Sequence, residues 1–163
     1  MQAKLITKND TYAFLINAGI SRGFVVIPEF RVDILSETKD KHEKEIDLVW
    51  LKPRRPVKKL QGRLWHDHWK MIAAFEIDAY DVSINNEFER HMKDLPLIPN
   101  AMRDHTKLFC ALYTSAFDRN GLKHPRGPDN YIEERRIIGS SRGVTVFSVG
   151  QIGWKRLLPR PST

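Results

Sequence analysis

Met71-Ile72-Ala73-Ala74-Phe75-Glu76-Ile77-Asp78 is an apolar run that closes on two carboxylates spaced two apart. Side chains alternate across a strand, so Glu76 and Asp78 share one face, about 7 Å apart by strand rise. The stretch from Lys70 to Asp78 is the least polar of three predicted strands, as expected at the centre of a sheet. A further acid recurs in an earlier stretch, Glu45-Ile46-Asp47-Leu48-Val49-Trp50. Alternation there places Glu45, Asp47 and Val49 on one face and Ile46, Leu48 and Trp50 on the other. Side-by-side pairing of the two strands would bring Asp47 to Glu76 and Asp78, so that three carboxylates converge at one end of the sheet. Such a cluster repels itself at neutral pH unless a cation neutralises it. Oxygen donors with little nitrogen or sulfur favour Mg²⁺ or Mn²⁺ over zinc. The competing reading of each acid is a solvated strand end, since acids are seldom buried unpaired.

The remaining elements are read outward from that core. Thr7 and Asp10 have the spacing of a capping box, and Tyr12, Leu15 and Ile16 fall on one helical face. Gly19 then suits a helix end. Phe24 to Ile34 is rich in Val and Ile and predicts a strand, with Pro28 pointing to a sheet edge or a bend. Ser36 to Lys44 is polar and is expected to be a hairpin connection. Glu45 to Leu51 is the second strand. Ser83 is a suitable N-cap, and Ile84, Phe88 and Met92 follow at four-residue steps, which predicts a helix over 83–94. Lys107 to Thr114 predicts a fourth strand, Tyr131 to Ile138 a short helix, and Val144 to Val149 a last strand. The tail from Leu157 to Thr163 is expected to fray. The order is helix, three strands, helix, strand and an appendix, which predicts an α/β fold with a mixed central sheet flanked by helices. One domain is expected over residues 1–163, its core at about 7–114 and its appendix at about 115–163.

Composition bounds the partners. The chain has 163 residues, 41% apolar and 29% charged, which suits one soluble globular domain. No apolar run is long enough to span a bilayer, and the first residues lack a signal-peptide core, so a cytoplasmic location is expected. The single cysteine, Cys110, lies in the apolar run Leu108-Phe109-Cys110-Ala111-Leu112 and reads as a core position in a reducing compartment. The net charge of +7 fits a nucleic-acid partner and equally an ordinary basic protein. More specific is the connection from Lys52 to Arg63, with six basic residues and no acid. Its Arg54, Arg55, Lys58, Lys59 and Arg63 are candidate phosphate contacts, the alternative being a solvated loop.

The two acidic strands, taken with the helices that flank them, resemble the core of the PD-(D/E)xK nuclease superfamily, the restriction-endonuclease-like fold. Glu45-Ile46-Asp47-Leu48-Val49-Trp50 and Ala73-Ala74-Phe75-Glu76-Ile77-Asp78 carry the likeness, and it covers roughly Thr7 to Thr114. The resemblance implies that Asp47 and Glu76 bind Mg²⁺, that the backbone carbonyl of Ile77 adds a ligand, and that Glu29 is the candidate for a further acid. It implies hydrolysis of DNA phosphodiester bonds by a metal-activated water. Because such nucleases often act as dimers, it also carries the expectation of a homodimer. One departure stands out: Asp78 occupies the position of the motif lysine, where some restriction-type members carry Glu. Asp78 is therefore expected to take the lysine's part in positioning water or a second metal. Lys70 is about 26 Å from Asp78 along the strand and too far to substitute, while Arg90 and Lys93 on the next helix have weaker claims. The second reading is the same fold without catalysis, holding nucleic acid or a protein partner.

Other motifs carry less. Trp65-His66-Asp67-His68-Trp69 offers two histidines, but two ligands from one short segment do not make a zinc site. Loop residues with aromatic anchors are the simpler reading. Glu133-Glu134-Arg135-Arg136 reads as a solvated helix face with ion pairs along it. There is no glycine-rich phosphate loop and no Gly-x-Ser-x-Gly nucleophile elbow.

Overall fold

Trp69–Ala79 (β3) is the middle strand of a five-stranded sheet. In this computed structural model, which describes residues 6–35, 41–54, 68–79, 87–98, 105–113 and 127–162, helix α1 (Lys8–Ser21) precedes strands β1 (Val25–Leu35), β2 (Lys41–Pro53) and β3. Helix α2 (Glu87–Asp94), a 3₁₀ turn (Leu95–Leu97) and strand β4 (Lys107–Tyr113) come next. Helix α3 (Gly127–Ser141) and strand β5 (Val144–Phe147) complete the series, with a second 3₁₀ turn at Trp154–Leu157. The strands lie in sequence order. β1–β2 and β2–β3 pair antiparallel; β3–β4 and β4–β5 pair parallel. The architecture is therefore α/β with a mixed sheet, and the segment beyond residue 114, expected as an appendix, supplies the fifth strand of that same sheet. Among the described residues no helix is long and apolar enough to cross a membrane.

Both faces of the sheet are covered, which is why β3 is apolar without alternation. On the α1 face an aromatic row crosses the strands. Trp50 of β2 stacks on Phe24 with centroids 5.6 Å apart, Phe75 of β3 stacks on Phe109 of β4 at 4.8 Å, and Phe147 of β5 stacks on Trp154 at 6.0 Å. Tilted and edge contacts at 5.0 and 5.8 Å join these pairs into one line. The opposite face holds Val49, Ala74, Cys110 and Val146 against Phe88, Met92 and Leu95 from the α2 segment and Ile132 from α3.

Several local expectations hold for the stated physical reasons. The Thr7–Asp10 capping box is formed, each side chain accepting from the other's backbone N–H at 3.0 and 3.2 Å. β1, with Pro28, is an edge strand, where a missing N–H costs no ladder bond. Others are corrected. Gly19 does not end α1. It is buried where a Cβ would stand 2.5 Å from Val26 Cγ2 and 2.6 Å from Trp50 Nε1, so it lets the helix backbone close onto the sheet. The turn falls at Ser21-Arg22-Gly23, as the sequence suggests, with Gly23 at φ +85°. β2 begins at Lys41 rather than Glu45, so Lys44 belongs to a strand and not to the hairpin connection. α3 is longer than the expected 131–138. The tail is anchored rather than frayed. Arg22 donates to the carbonyls of Pro159 and Lys155 at 2.8 and 3.2 Å, the Ser162 N–H donates to the Arg22 carbonyl, and Leu158 and Pro159 are buried. The expected cap at Ser83 lies outside the described residues, and α2 is described from Glu87.

Candidate functional site

Asp47, Glu76 and Asp78 do come together, where β2 and β3 separate. The β2–β3 ladder runs through Leu48↔Phe75, and Asp47 and Glu76 occupy the next register position. There the backbone pairing stops, and the Asp47 carboxylate instead accepts the Ile77 N–H at 2.8 Å. Asp47 thus fills the gap that opens between the strands.

The expected alternation of β2 breaks at the same residue. Ile46 packs with Val49 in the core cluster on the α2 side, while Leu48 and Trp50 belong to the α1 side. Strict alternation would have put Ile46 with Leu48 and Trp50. β1 slips likewise: Val26 packs on the α1 side, but Ile27, Phe30 and Val32 all pack on the α2 side. Between Ile27 and Phe30 stands Glu29, a non-glycine residue at φ +52°, a conformation costly for an L side chain. Glu29 is exposed and lies at the register position opposite Asp47, between the pairs Pro28↔Leu48 and Phe30↔Ile46. The kink in both strands is therefore located at the two acids.

The slip has a consequence that alternation did not foresee. It brings Lys44, 10% exposed at its side chain, to the α2 side, with Nζ 3.4 Å from Glu76 Oε1 and 3.6 Å from Asp94 Oδ2. A second unforeseen residue is His91 of α2. Its Nδ1 meets Asp78 Oδ2, and its Nε2 lies 3.5 Å from Glu76 Oε2. Phe88, Met92 and Leu95 anchor α2 in the core, and His91 is three residues beyond Phe88 on that stripe. The four-residue apolar steps that predict this helix do not mark His91 as a site residue. Tyr12 of α1, expected only as a packing residue, hydrogen-bonds Asp47.

Burial and charge tune these groups. Glu76 is 2% exposed. Its pKa is pushed well above the usual carboxylate value, first by burial, with Lys44 opposing, and then by the neighbouring Asp47 and Asp78 charges. The Tyr12 hydroxyl is raised by burial and then by Asp47. Burial, followed by Asp78 and Glu76, pushes up the Cys110 thiol, whose Sγ lies 3.7 Å from Asp78 Oδ2. Cys110 is fully buried, as a core position should be. Although Lys44 sits 3.4 Å from Glu76 Oε1, that oxygen has no hydrogen bond of acceptable geometry. The contact is a charge pairing between two largely buried groups.

The donor set falls short of a closed cation site. Among the described residues no three His, Cys, Asp or Glu side chains stand together closely enough to hold a metal by themselves. Mg²⁺ commonly binds through one or two carboxylates with its remaining positions filled by water and substrate phosphate, so a cation here would depend on Asp47 and Glu76, and Lys44 Nζ already stands 3.4 Å from Glu76 Oε1. Of the basic connection, Arg55, Lys58, Lys59 and Arg63 lie outside the described residues, as do Trp65, His66 and Asp67. Arg54 closes the connection's base by donating its N–H to the His68 carbonyl at 2.8 Å. That base adjoins the Pro53↔Trp69 pair, seven residues from Glu76 and so about 23 Å along β3. The basic segment is thus rooted at the far end of the hairpin from the carboxylates.

Comparison with protein-family models, curated proteins and solved structures gave no match to this chain.

Proposed function

We propose that the protein is a Mg²⁺- or Mn²⁺-dependent nuclease acting on DNA, built on a restriction-endonuclease-like core. The observation that carries this reading is the meeting of Asp47 and buried Glu76 where β2 and β3 part, with Glu76 Oε1 lacking a hydrogen bond. The order of elements and the antiparallel-then-parallel sheet support the likeness drawn from the two acidic strands. Asp47 and Glu76 would hold the ion, with the Ile77 carbonyl as a further ligand and exposed Glu29 as the candidate for one more. When bound, the ion supplies a water of lowered pKa and a clamp on a phosphate oxygen. Within this reading Asp47 is oriented by the Ile77 N–H and the Tyr12 hydroxyl. Lys44 supplies the positive charge that Asp78 cannot, since Asp78 is itself an acid. In hydrolysis the water oxygen bonds to phosphorus, one P–O ester bond breaks, and the departing oxygen takes up a proton.

Cleavage of supercoiled plasmid in the presence of Mg²⁺ or Mn²⁺ tests the reading. Glu76→Ala and Asp47→Ala should lose more than the about 10–100-fold typical of removing a ligand's supporting partner, with circular dichroism unchanged. Full activity in a folded Glu76→Ala variant would sink the proposal. One observation favours the second reading, a module that binds without chemistry: Lys44 and His91 already face both oxygens of Glu76. That reading expects salt-sensitive DNA binding, indifferent to EDTA, and no cleavage.

A further inference from the structure

We infer that the end of the sheet opposite the carboxylates, on its α1 face, is a surface that binds the phosphate backbone of nucleic acid through Lys52, Lys70, Lys107, Arg22 and Arg160. This surface is separate from Asp47, Glu76 and Asp78, and it binds whether or not those acids support cleavage.

The strand register assembles it. Lys52 of β2 pairs with Lys70 of β3. Lys107 opens β4 on the far side of β3, where it pairs with Ala73. Leu51, Met71 and Leu108, next to these lysines in sequence, pack on the α2 side, so alternation turns all three lysines to the α1 side. Helix α1 ends over the same place. Gly19 rests on Val26 and Trp50, and β1 starts level with Leu51, which sets the α1 C-cap Arg22 beside the end of β2. The tail returns there as well. Arg22 donates to the Pro159 carbonyl at 2.8 Å and accepts the Ser162 N–H at 2.7 Å, which fixes Arg160 between the two contacts.

Charge separates this end from the other. Every acid of β1, β2 and β3 lies at or beyond the level of Asp47, toward the opposite end. Cations at that acidic end are neutralised: Arg31 pairs with Glu43 and Glu45, and Lys44 with Glu76 and Asp94. None of the five cations at the basic end is ion-paired to a described acid. Lys107 and Arg160 are exposed, and Lys52, Lys70 and Arg22 are half-buried. Like charges directly opposite in a ladder are destabilising, so the Lys52↔Lys70 pair weakens the sheet unless an anion offsets it. Cations spread over three strands and the tail suit successive phosphates of a polymer backbone. An anionic lipid surface would call for a continuous apolar face as well, whereas exposed Ile20 and Val25 stand beside Arg22 alone, on the β1 side.

Fluorescence anisotropy of a labelled duplex across a salt series, in EDTA and with the full chain, tests the surface. Each phosphate contact contributes about 0.9 to the slope of log K against log salt. Combining Lys70→Gln, Lys107→Gln and Arg160→Gln should therefore make the slope shallower by about 2–3 and weaken binding to all sequences alike. The control combination Lys8→Gln, Arg31→Gln and Arg136→Gln removes the same charge elsewhere and should leave the slope within about 1 of wild type. Circular dichroism confirms that both variants fold. A wild-type slope in the first variant, or equal losses in the two, would overturn the surface. So would binding to mixed phosphatidylcholine–phosphatidylserine vesicles without binding to DNA. Plasmid cleavage with Mg²⁺ reads the hydrolytic proposal separately. A shallower slope in the first variant with no cleavage by wild type would keep the surface and remove the nuclease, and cleavage with an unchanged slope would do the reverse.

Discussion

Glu76 is a buried acid set among Asp47, Asp78, Lys44 and His91, and its environment makes a prediction about stability. A buried carboxylate among other acids holds its proton to higher pH than the same group in the unfolded chain. Above the usual carboxylate value of 4.5 the folded state therefore binds more protons than the unfolded state. Stability falls as pH rises through that window, the reverse of the usual salt-bridged acid. Thermal unfolding should show a midpoint that drops between mildly acidic and alkaline pH. Glu76→Gln should flatten that dependence and raise the midpoint at pH 8 by about 2–4 °C for each kcal/mol of relieved strain. A divalent cation should raise the wild-type midpoint and leave the Gln variant unchanged, because binding to the folded state alone is stabilising. A wild-type midpoint independent of pH would mean that Lys44 and His91 compensate the charge fully. The acids themselves were readable from their spacing in apolar runs. Lys44 and His91 were not, because a slip in β2 and a tertiary contact from α2 bring them in, and neither is encoded in a period of two.

At the level of elements, α1 is seated by close approach rather than by a wide apolar stripe. Gly19 leaves no room for a side chain against Val26 and Trp50, and the indole N–H of Trp50 is buried there without a hydrogen-bond partner. Gly19→Ala would gain helix propensity of about 1 kcal/mol in an isolated helix. Here the overlap dominates, since an added Cβ at 2.5–2.6 Å must move either the sheet or the helix. Overpacking of this kind costs about 1–3 kcal/mol, and chemical denaturation should show a net loss of stability. Because α1 carries Tyr12 to Asp47, the same variant should also reduce metal binding, whereas a helix-surface change such as Lys8→Ala should do neither. The central place of β3 was legible from its unbroken apolar run, and Pro28 already pointed to an edge or a bend in β1. The anchoring of the tail was not. It depends on Arg22 meeting the carbonyls of Pro159 and Lys155, residues more than 130 positions apart, and local composition carries no trace of such a contact.

The molecule as a whole carries a net charge of +7, and its most concentrated basic run is rooted away from the acids. Arg54 marks one end of β2–β3 and the carboxylates mark a position about 23 Å along it. A duplex in contact with both would extend over about seven base-pair steps at 3.4 Å each. On the proposed function this separates two roles, phosphate capture at one end and hydrolysis at the other. If Arg54, Arg55, Lys58, Lys59 and Arg63 each neutralise a phosphate, the logarithm of the binding constant should fall with the logarithm of salt at a slope of about −4 to −5. Replacing all five by Gln should remove that contribution from the slope, weaken binding to all sequences alike and leave divalent-cation affinity untouched, because Glu76 and Asp47 do not contact that end. Duplexes too short to span the distance should bind with the same slope as longer ones but be cleaved more slowly, since capture would no longer place a phosphate at Glu76. Fluorescence anisotropy across a salt series, with cleavage followed on the same duplexes, measures both effects. An unchanged slope in the five-fold variant would move the phosphate-binding surface elsewhere on the protein, and equal cleavage of short and long duplexes would dissolve the link between the two ends.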